Sequence, residues 1–279
     1  MRPPVIGFLS PGARHRTSAR VADLFDMRLR AMRRDHAART GPELFLYERV
    51  FADCLERIGF TDRNFEHALL IGCPDPAWPE ALRTLAQSVA VRDPGPLFAD
   101  AADGETIIED VWEPPASTFD LVVAIGTLDT VNDLPAALRL IRSSMRPHGL
   151  FIGAFAAGNG LPQLRAAMRA ADSLSGTASP HVHPRIEPAA VPPLLSQAGF
   201  VESVVDIDRV EAAYRSLASL IADLRKMGAT NILAERARKS LGRAAYQAAK
   251  QHFESAGDQG RTIETFEILH FACWTREQG

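Results

Sequence analysis

The chain has 279 residues, of which 46% are hydrophobic and 23% charged, and its formal net charge is −3. This balance is typical of a folded globular domain and excludes a disordered chain. The charges form no long run of one sign, so the sequence gives no indication of binding to nucleic acid or to an anionic membrane surface. No apolar stretch reaches the roughly 18 residues of a membrane span, and the three scattered cysteines predict neither disulfides nor a cysteine metal site. We expect a cytoplasmic protein whose partner is a small molecule or another protein.

The amino-terminal part divides into a leader and two helices. Residues 1–20 are rich in arginine and interrupted by proline and glycine, which predicts a loose leader. Over residues 21–59 the apolar positions recur at helical spacing, with a break at Gly41-Pro42, and this pattern predicts two helices. The chain from 21 to 279 is predicted to form one domain with a helical cap over about 156–195 and 211–262.

Strand and helix patterns alternate through the middle of the chain. Short apolar runs predict five strands, at residues 68–72, 88–92, 106–111, 119–125 and 150–155. This alternation is typical of right-handed βαβ units and of a parallel sheet with helices on both faces. Two more strands are predicted at 203–210 and 265–274, the last one running back antiparallel, with a long helical stretch at 214–255 between them. Ligands of such sheets lie beyond the carboxyl ends of the strands.

A set of motifs, taken in order and spacing, carries a resemblance to a known family. The motifs are Phe25-Asp26, the segment 33–38, Thr-Phe-Asp-Leu-Val-Val at 118–123, Val-Asn-Asp-Leu-Pro at 131–135, the segments 146–153 and 194–200, and Leu-Arg-Lys-Met-Gly-Ala-Thr-Asn at 224–231. The chain resembles the class I S-adenosylmethionine (SAM) methyltransferases, in the subgroup that contains the biotin-pathway malonyl-carrier-protein O-methyltransferase and the mitochondrial complex I assembly factor that hydroxylates an arginine. The resemblance implies a Rossmann-like α/β fold with a seven-stranded, mostly parallel sheet and a helical cap. It also implies SAM as cofactor and a protein or acyl-carrier-bound partner.

The turn after the first strand is where the chain departs from this family. The family's Asp-x-Gly-x-Gly-x-Gly turn lets the backbone approach the cofactor closely. Here residues 70–76 read Leu-Ile-Gly-Cys-Pro-Asp-Pro, so two of the glycines are replaced by Pro74 and Pro76, which fix φ and lack an N–H donor. Two interpretations stay open: a tight, rigid turn, or a remodelled site lined by Gly72 and Cys73.

The resemblance implies further cofactor residues after strands two, three and four. Asp93 takes the position of the acid that binds the ribose hydroxyls, although a turn acid ahead of proline and glycine is the alternative. Asp110 and Val111 take the positions that meet the adenine, with a solvated loop acid as the alternative for Asp110. Gly126 and Leu128 follow the fourth strand.

Two further positions bear on the chemistry. The relatives usually carry a His-Trp pair after strand four, where this chain has Asp129 and Thr130, and this weakens the case for proton transfer there. His181 and His183 suggest a metal site, but no third ligand is near them in the sequence, and we predict no metal.

The cap supplies the candidate substrate or partner residues. Tyr214, Arg225, Met227 and Asn231 are expected to face the cleft, and the polar ones among them, with Arg185, suit a carboxylate or a phosphate. A salt bridge across its own helix is the alternative for Arg225.

Two functions follow as hypotheses. The first is a SAM-dependent methyltransferase acting on a protein or carrier-bound partner held by the cap. The second is a catalytically inactive pseudo-methyltransferase that serves as an assembly or protein-interaction factor, because the cofactor turn has changed while the cap motif is kept. In this second case SAM binding is weak or lost.

Overall fold

The computed structural model describes residues 22–176 and 179–276, so the leader predicted over residues 1–20 lies outside the described chain. The helices within those ranges are α1 (Met27–Thr40), α2 (Phe45–Gly59), α3 (Trp78–Leu82), α4 (Pro96–Ala101), α5 (Leu134–Ser144), α6 (Pro162–Ser175), α7 (Val191–Gln197), α8 (Leu217–Lys226) and α9 (Arg243–Ser255). The strands are β1 (Phe65–Ile71), β2 (Ala86–Asp93), β3 (Glu105–Thr106), β4 (Phe119–Ile125), β5 (Met145–Ala156), β6 (Phe200–Tyr214) and β7 (Thr262–Thr275). None of the helices in the described ranges is long and apolar enough to cross a membrane.

The strands of the described chain form one seven-stranded sheet in the order β3-β2-β1-β4-β5-β7-β6. Strand β4 lies at its centre, and its neighbour β1 pairs in parallel with β2 and with β4. Strand β7 runs antiparallel to both β5 and β6. The predicted α/β fold, with a mostly parallel sheet and an antiparallel last strand, is confirmed.

The central strands are buried on both faces. In β4, Leu121, Val123 and Ile125 pack into the cluster that contains residues of α2 and α3. Val122 and Ala124 point the other way, into the cluster that contains residues of α5 and α7. A parallel strand that is covered by helices on both faces requires a continuous apolar run. This is why β4 could be predicted from the sequence.

The helices α6, α8 and α9 pack together over the ends of β6 and β7 around a shared apolar cluster, and we call them the cap helices. The long helical stretch predicted at 214–255 is wrong in its middle, because α8 ends at Lys226 and α9 begins at Arg243. Gly228 has a φ of +68°, which ends the helix. The segment that follows instead pairs with the amino-terminal part of the chain, through a bridge between Leu233 and Phe25.

The third predicted strand is also shorter than expected. It covers Glu105–Thr106 rather than 106–111. Pairing ends where Ile107 donates its N–H to the carbonyl of Asp93, after which Val111 and Trp112 donate to the carbonyl of Ile108 and turn the chain. The turn carries the next acidic residues back toward the carboxyl ends of the strands.

Candidate cofactor edge and cap cavity

Helix α1 places two arginines over the carboxyl ends of the strands. It begins after Asp26, whose side chain accepts from the N–H of Leu29 at 2.9 Å. Its buried residues are Arg30, Arg34 and Ala37, which share one helical face. Each arginine is only 4% exposed. Because buried arginines persist only with charged partners, the groups opposite them define this site.

The partner of Arg34 is Asp93, the predicted ribose acid at the end of β2. The Nε and Nη2 atoms of Arg34 donate to its two carboxylate oxygens at 2.8 and 2.5 Å. The backbone N–H groups of Cys73 and Gly95 donate to the same carboxylate at 2.8 and 2.7 Å. Burial alone would lower the pKa of Arg34, but the charge and hydrogen bonds of Asp93 outweigh it and raise that pKa. The guanidinium of Arg34 is therefore charged, and the side chain of Asp93 accepts four hydrogen bonds.

The partner of Arg30 is Glu109, which the sequence did not single out. Its two oxygens accept from Nη1 and Nη2 of Arg30 at 2.7 and 2.8 Å. The same Nη2 donates to the carbonyl of Thr127 at 2.6 Å. The neighbouring Asp110, predicted to meet the adenine, accepts from the backbone N–H of Asp133 at 2.9 Å. Val111 is 70% exposed.

The turn after β1 is closed by its own residues. Gly72 has a φ of +84°, and a Cβ atom there would lie 2.2 Å from the carbonyl oxygen of Ile125. Cys73 donates its thiol to the carbonyl of Asp75 at 3.2 Å, and the side chain of Asp75 accepts from the N–H of Ala77 at 2.9 Å. Burial, reinforced by the charge of Asp93, raises the pKa of Cys73 to about 12, so this thiol is not a nucleophile at neutral pH.

The acceptor positions along this edge are taken up by the chain itself. A carboxylate offers about four acceptor positions, and all four on Asp93 are taken by the chain itself. The two oxygens of Glu109 hold Arg30. Pro74 and Pro76 add no backbone donors. With α1 where it lies, the edge over β1 and β2 has no carboxylate position for a ribose.

A cavity of about 110 Å³ lies beside this edge, at the carboxyl ends of β4 and β5 and beneath α8. Its apolar walls come from α2, the strand ends, α8 and β7, and include Leu46, Val50, Phe155, Leu161, Leu224 and Phe266. Of the residues predicted for the site, Gly126 and Met227 line it. The hydroxyl of Tyr47 donates to the carbonyl of Met227 at 3.0 Å. A Cβ atom on Gly126 would lie 2.6 Å from the ring of Tyr47, so the ring closes over this glycine.

The polar end of the cavity holds a second type of ion pair. Nη1 of Arg185 donates to Asp129 at 2.6 Å, and their side chains are 10% and 8% exposed. Asp129 stands where the resembled family carries histidine. The Nε atom of Arg185 is buried and has no hydrogen-bond partner among the residues that the structure describes. Arg34, by contrast, has no buried side-chain nitrogen without a partner among the described residues.

His183 lines the cavity, and its pKa depends on the groups around it. Its Nε2 atom accepts from the N–H of Ile232 at 3.0 Å, which places the ring proton on Nδ1. Burial first, and then the positive charges of Arg185, Arg165 and Arg30, lower its pKa to about 3. The ring is therefore neutral at physiological pH.

The other predicted residues lie outside the cavity lining. Leu128 packs in the core between the sheet and α5, and Tyr214 is buried among the cap helices. Arg225 is exposed on α8. The side chain of Asn231 donates to the carbonyl of Pro180 at 2.7 Å and accepts from the N–H of Leu233 at 2.9 Å. Asn231 therefore holds two cap loops together.

The two predicted metal histidines have different partners. His181 contacts the carboxylate of Asp172 at 2.8 Å, whereas His183 binds the backbone of Ile232. Within residues 22–176 and 179–276 there is no group of three or more His, Cys, Asp or Glu side chains that could hold a metal ion.

The residues that sequence reasoning missed are Arg30, Arg34, Tyr47 and Glu109. Two signals were available: the place of Arg34 within the family segment 33–38, and the spacing of Arg30, Arg34 and Ala37 along one helical face. That spacing does not distinguish a buried face from a solvated one, since arginines are mostly exposed.

Comparison with known proteins agrees with this architecture. The sequence model of a methyltransferase domain family matches residues 44–201. The protein named Arginine-hydroxylase NDUFAF5, mitochondrial, from Rattus norvegicus is 30% identical over 279 residues, spanning 92% of this chain and 79% of its own length. The Malonyl-[acyl-carrier protein] O-methyltransferase of Gallionella capsiferriformans is 26% identical, over 57% of this chain and 53% of its own.

A solved structure supports the fold. The YcgJ protein from Bacillus subtilis superposes with a TM-score of 0.52 at 12% identity, covering 80% of this chain and 97% of its own. The family match begins at residue 44, so α1 and its two buried arginines precede it. On the matched domain and the similarity along nearly the whole chain, this protein belongs to the methyltransferase-domain family.

Proposed function

We propose that this chain is a pseudo-methyltransferase, a member of the family that binds a protein or carrier-bound partner and does not use SAM. The observation that carries the proposal is the fully occupied carboxylate of Asp93. A ribose gains access to that carboxylate only if Arg34 leaves. Removing one partner from a buried ion pair costs about 3–5 kcal/mol, which is a large part of the binding free energy of a micromolar ligand.

The altered turn supports the same conclusion. Pro74 and Pro76 lack two N–H donors that a glycine-rich turn would offer. At about 0.5–1.5 kcal/mol for each lost hydrogen bond, the prolines alone weaken binding by about one to two decades. The closed turn and the paired Asp93 act on different parts of the cofactor, so their effects combine.

The type of partner is supported by the names of the relatives. One relative is named for an acyl-carrier protein and another for arginine hydroxylation. We propose a protein or a carrier-bound group as the partner of this chain, recognised at the cap with Arg225 and Met227 as contact residues, and Tyr214 and Asn231 as their support. Nucleic acid is not expected. We further propose a cytoplasmic location, whereas the arginine-hydroxylase relative is named as mitochondrial.

One observation favours the second candidate, a SAM-dependent transferase. The cavity is retained at the carboxyl ends of β4 and β5 beneath the cap, where an acceptor group would lie in this fold. In that case α1 has to move away from Asp93 during the reaction cycle. Gly72, Cys73, Asp93, Asp110, Val111, Gly126 and Leu128 would then be the residues nearest the cofactor.

Calorimetric titration with SAM and with S-adenosylhomocysteine (SAH) separates the two candidates. We expect no saturable heat from the natural chain at ligand concentrations up to about 100 μM, and weak binding in a Pro74→Gly, Pro76→Gly variant. A Pro192→Gly, Pro193→Gly variant in α7 is the control, because it also replaces two prolines by glycine but lies outside the turn after β1. Low-micromolar binding to the natural chain would eliminate the pseudo-methyltransferase and leave the transferase.

A further inference from the structure

Three arginines lie near each other where α1 packs against α8. Arg33 is on α1, Arg225 is in the last turn of α8, and Arg236 is in the segment that follows. Nη1 of Arg236 donates to the carboxylate of Asp26 at 3.3 Å, at the amino end of α1. Because Asp26 and Arg33 are seven residues apart, they lie on the same side of α1, about two turns from each other. We call Arg33, Arg225 and Arg236 the arginine strip.

The arginine strip is distinct from the arginines that close the edge of the sheet. Arg30 and Arg34 are on the buried face of α1, whereas Arg33 is partly exposed and Arg225 is exposed. The Nε atom of Arg33 is buried, but its two Nη atoms are not, and they have no hydrogen-bond partner among the described residues. The outer ends of the Arg33 and Arg225 guanidinium groups are therefore accessible to another molecule.

The positive charge of the strip is only partly compensated. Within residues 22–176 and 179–276, neither Arg33 nor Arg225 forms an ion pair or a side-chain hydrogen bond, and the carboxylate in contact with the strip is that of Asp26. Burial first, and then the charges of Arg225 and Arg236, lower the pKa of Arg33. The three charges thus repel one another, and an anionic partner that lies against them would relieve this repulsion.

The strip fits carboxylates on another protein better than it fits a nucleic acid. A guanidinium group binds a carboxylate through parallel N–H donors, and arginine is enriched at protein interfaces. The chain as a whole carries a formal net charge of −3, which opposes a long polyanion that extends beyond the strip. A short acidic segment meets only the strip and avoids that repulsion.

We propose that the arginine strip is a docking surface for an acidic segment of a partner protein, whose carboxylates lie against Arg33 and Arg225. The proposal rests on the proposed function, since it supplies the chemistry of the partner that the cap is proposed to hold. It does not depend on whether SAM binds, because the strip leaves the pairs of Arg30 and Arg34 intact.

The test uses fluorescein-labelled hexaglutamate, with labelled hexaglutamine as the neutral peptide, and follows binding by fluorescence anisotropy. At about 50 mM salt, where charges are weakly screened, we expect hexaglutamate to bind the natural chain with a Kd of about 100 μM. Hexaglutamine should bind at least about tenfold more weakly, because it cannot form charge-assisted hydrogen bonds with the arginines.

Two double variants of equal charge locate the surface. Arg33→Gln, Arg225→Gln should weaken hexaglutamate binding by at least about tenfold. The matched control is Arg83→Gln, Arg169→Gln, which removes the same charge from two exposed positions on other parts of the chain and should change the affinity by less than about twofold. If the first variant fails to fold by circular dichroism, Arg225→Gln alone replaces it, because Arg225 is exposed, and a loss of at least about threefold is expected.

Three outcomes would overturn the proposal. They are the absence of saturable hexaglutamate binding by the natural chain up to about 1 mM, an equal loss of affinity in the two double variants, and tighter binding of a labelled thymidine hexanucleotide than of hexaglutamate. The last result would assign the strip to nucleic acid. Binding of SAH by the natural chain would refute the pseudo-methyltransferase but leave the docking surface intact, so failure of either proposal is recognised separately.

Discussion

Two neighbouring regions of one sheet edge use arginine in opposite ways. Over β1 and β2, Arg34 donates through both Nε and Nη2 to Asp93, and the backbone takes the remaining acceptor positions of that carboxylate. Over β4 and β5, Arg185 uses one Nη atom on Asp129 and keeps a buried Nε without a partner. The fold presents both regions at its ligand edge. The difference between them is how far the chain satisfies its own polar groups at each place.

The largest effect is expected from breaking the pair over β2. Arg34→Met leaves the buried carboxylate of Asp93 without its cation, and this should lower the free energy of unfolding by about 3–5 kcal/mol. Urea unfolding measures the change. Arg39→Met on the same helix is the matched control, because Arg39 is exposed and lies 3.8 Å from Asp35; a change within about 0.5 kcal/mol is expected there. A loss below about 1 kcal/mol for Arg34→Met would mean that this pair does not close the edge.

The next effect compares two glycines with the same φ angle. Gly72 and Gly41 both have a φ of +84°, but a Cβ atom meets the carbonyl oxygen of Ile125 at 2.2 Å in the first case and nothing within 4 Å in the second. Gly41→Ala should cost about 1–2 kcal/mol for the left-handed backbone. Gly72→Ala should cost about 1–3 kcal/mol more, because backbone has to move. Thermal unfolding of the two variants gives the difference, and equal losses would argue against the tight contact of the β1 turn with β4.

These contrasts show which features of the fold and the site could be predicted from the sequence. The strand at 119–125 is observed as predicted, because burial on both faces leaves a continuous apolar run. Asp93 could be singled out from its place after a strand. Its partner could not, since Arg34 lies 59 residues away and resembles any solvated arginine of a helix. Glu109 pairs with Arg30 across 79 residues. Burial of charge is set by such long-range pairs and leaves no local pattern.

A third prediction uses His183 to sharpen the account of the cap cavity. Its pKa is about 3 in the folded chain against an ordinary value of 6.5, so the unfolded chain takes up the proton first as pH falls. Stability should therefore decrease between about pH 6.5 and 3 and be unaffected by this group above pH 6.5. The slope has an upper limit of about 1.4 kcal/mol per pH unit.

The variant for this prediction is His183→Gln, which keeps an acceptor for the N–H of Ile232 and cannot titrate. Urea unfolding from pH 4 to 7 should give a shallower pH dependence for the variant than for the natural chain. Other acidic groups titrate in both proteins and cancel in the difference. Parallel curves would contradict the lowered pKa assigned to this ring.

The smallest expected changes in stability concern two cap residues, Asn231, which supports the cap loops, and Arg225, which is proposed to contact the partner. Asn231→Ala removes hydrogen bonds to Pro180 and Leu233 and should lower stability by about 1 kcal/mol or somewhat more. Arg225→Ala changes an exposed residue and should stay within about 0.5 kcal/mol. Chemical unfolding of both variants checks this order. The reverse order would show that Arg225, not Asn231, stabilises the cap.

The most direct test of the closed edge over β1 and β2 is a calorimetric titration with SAH of the natural chain and, in a separate run, of the Pro74→Gly, Pro76→Gly variant. The account predicts no saturable heat from the natural chain, because Asp93 is occupied by Arg34, and weak binding by the variant. Saturable binding of SAH to the natural chain in the micromolar range would contradict it.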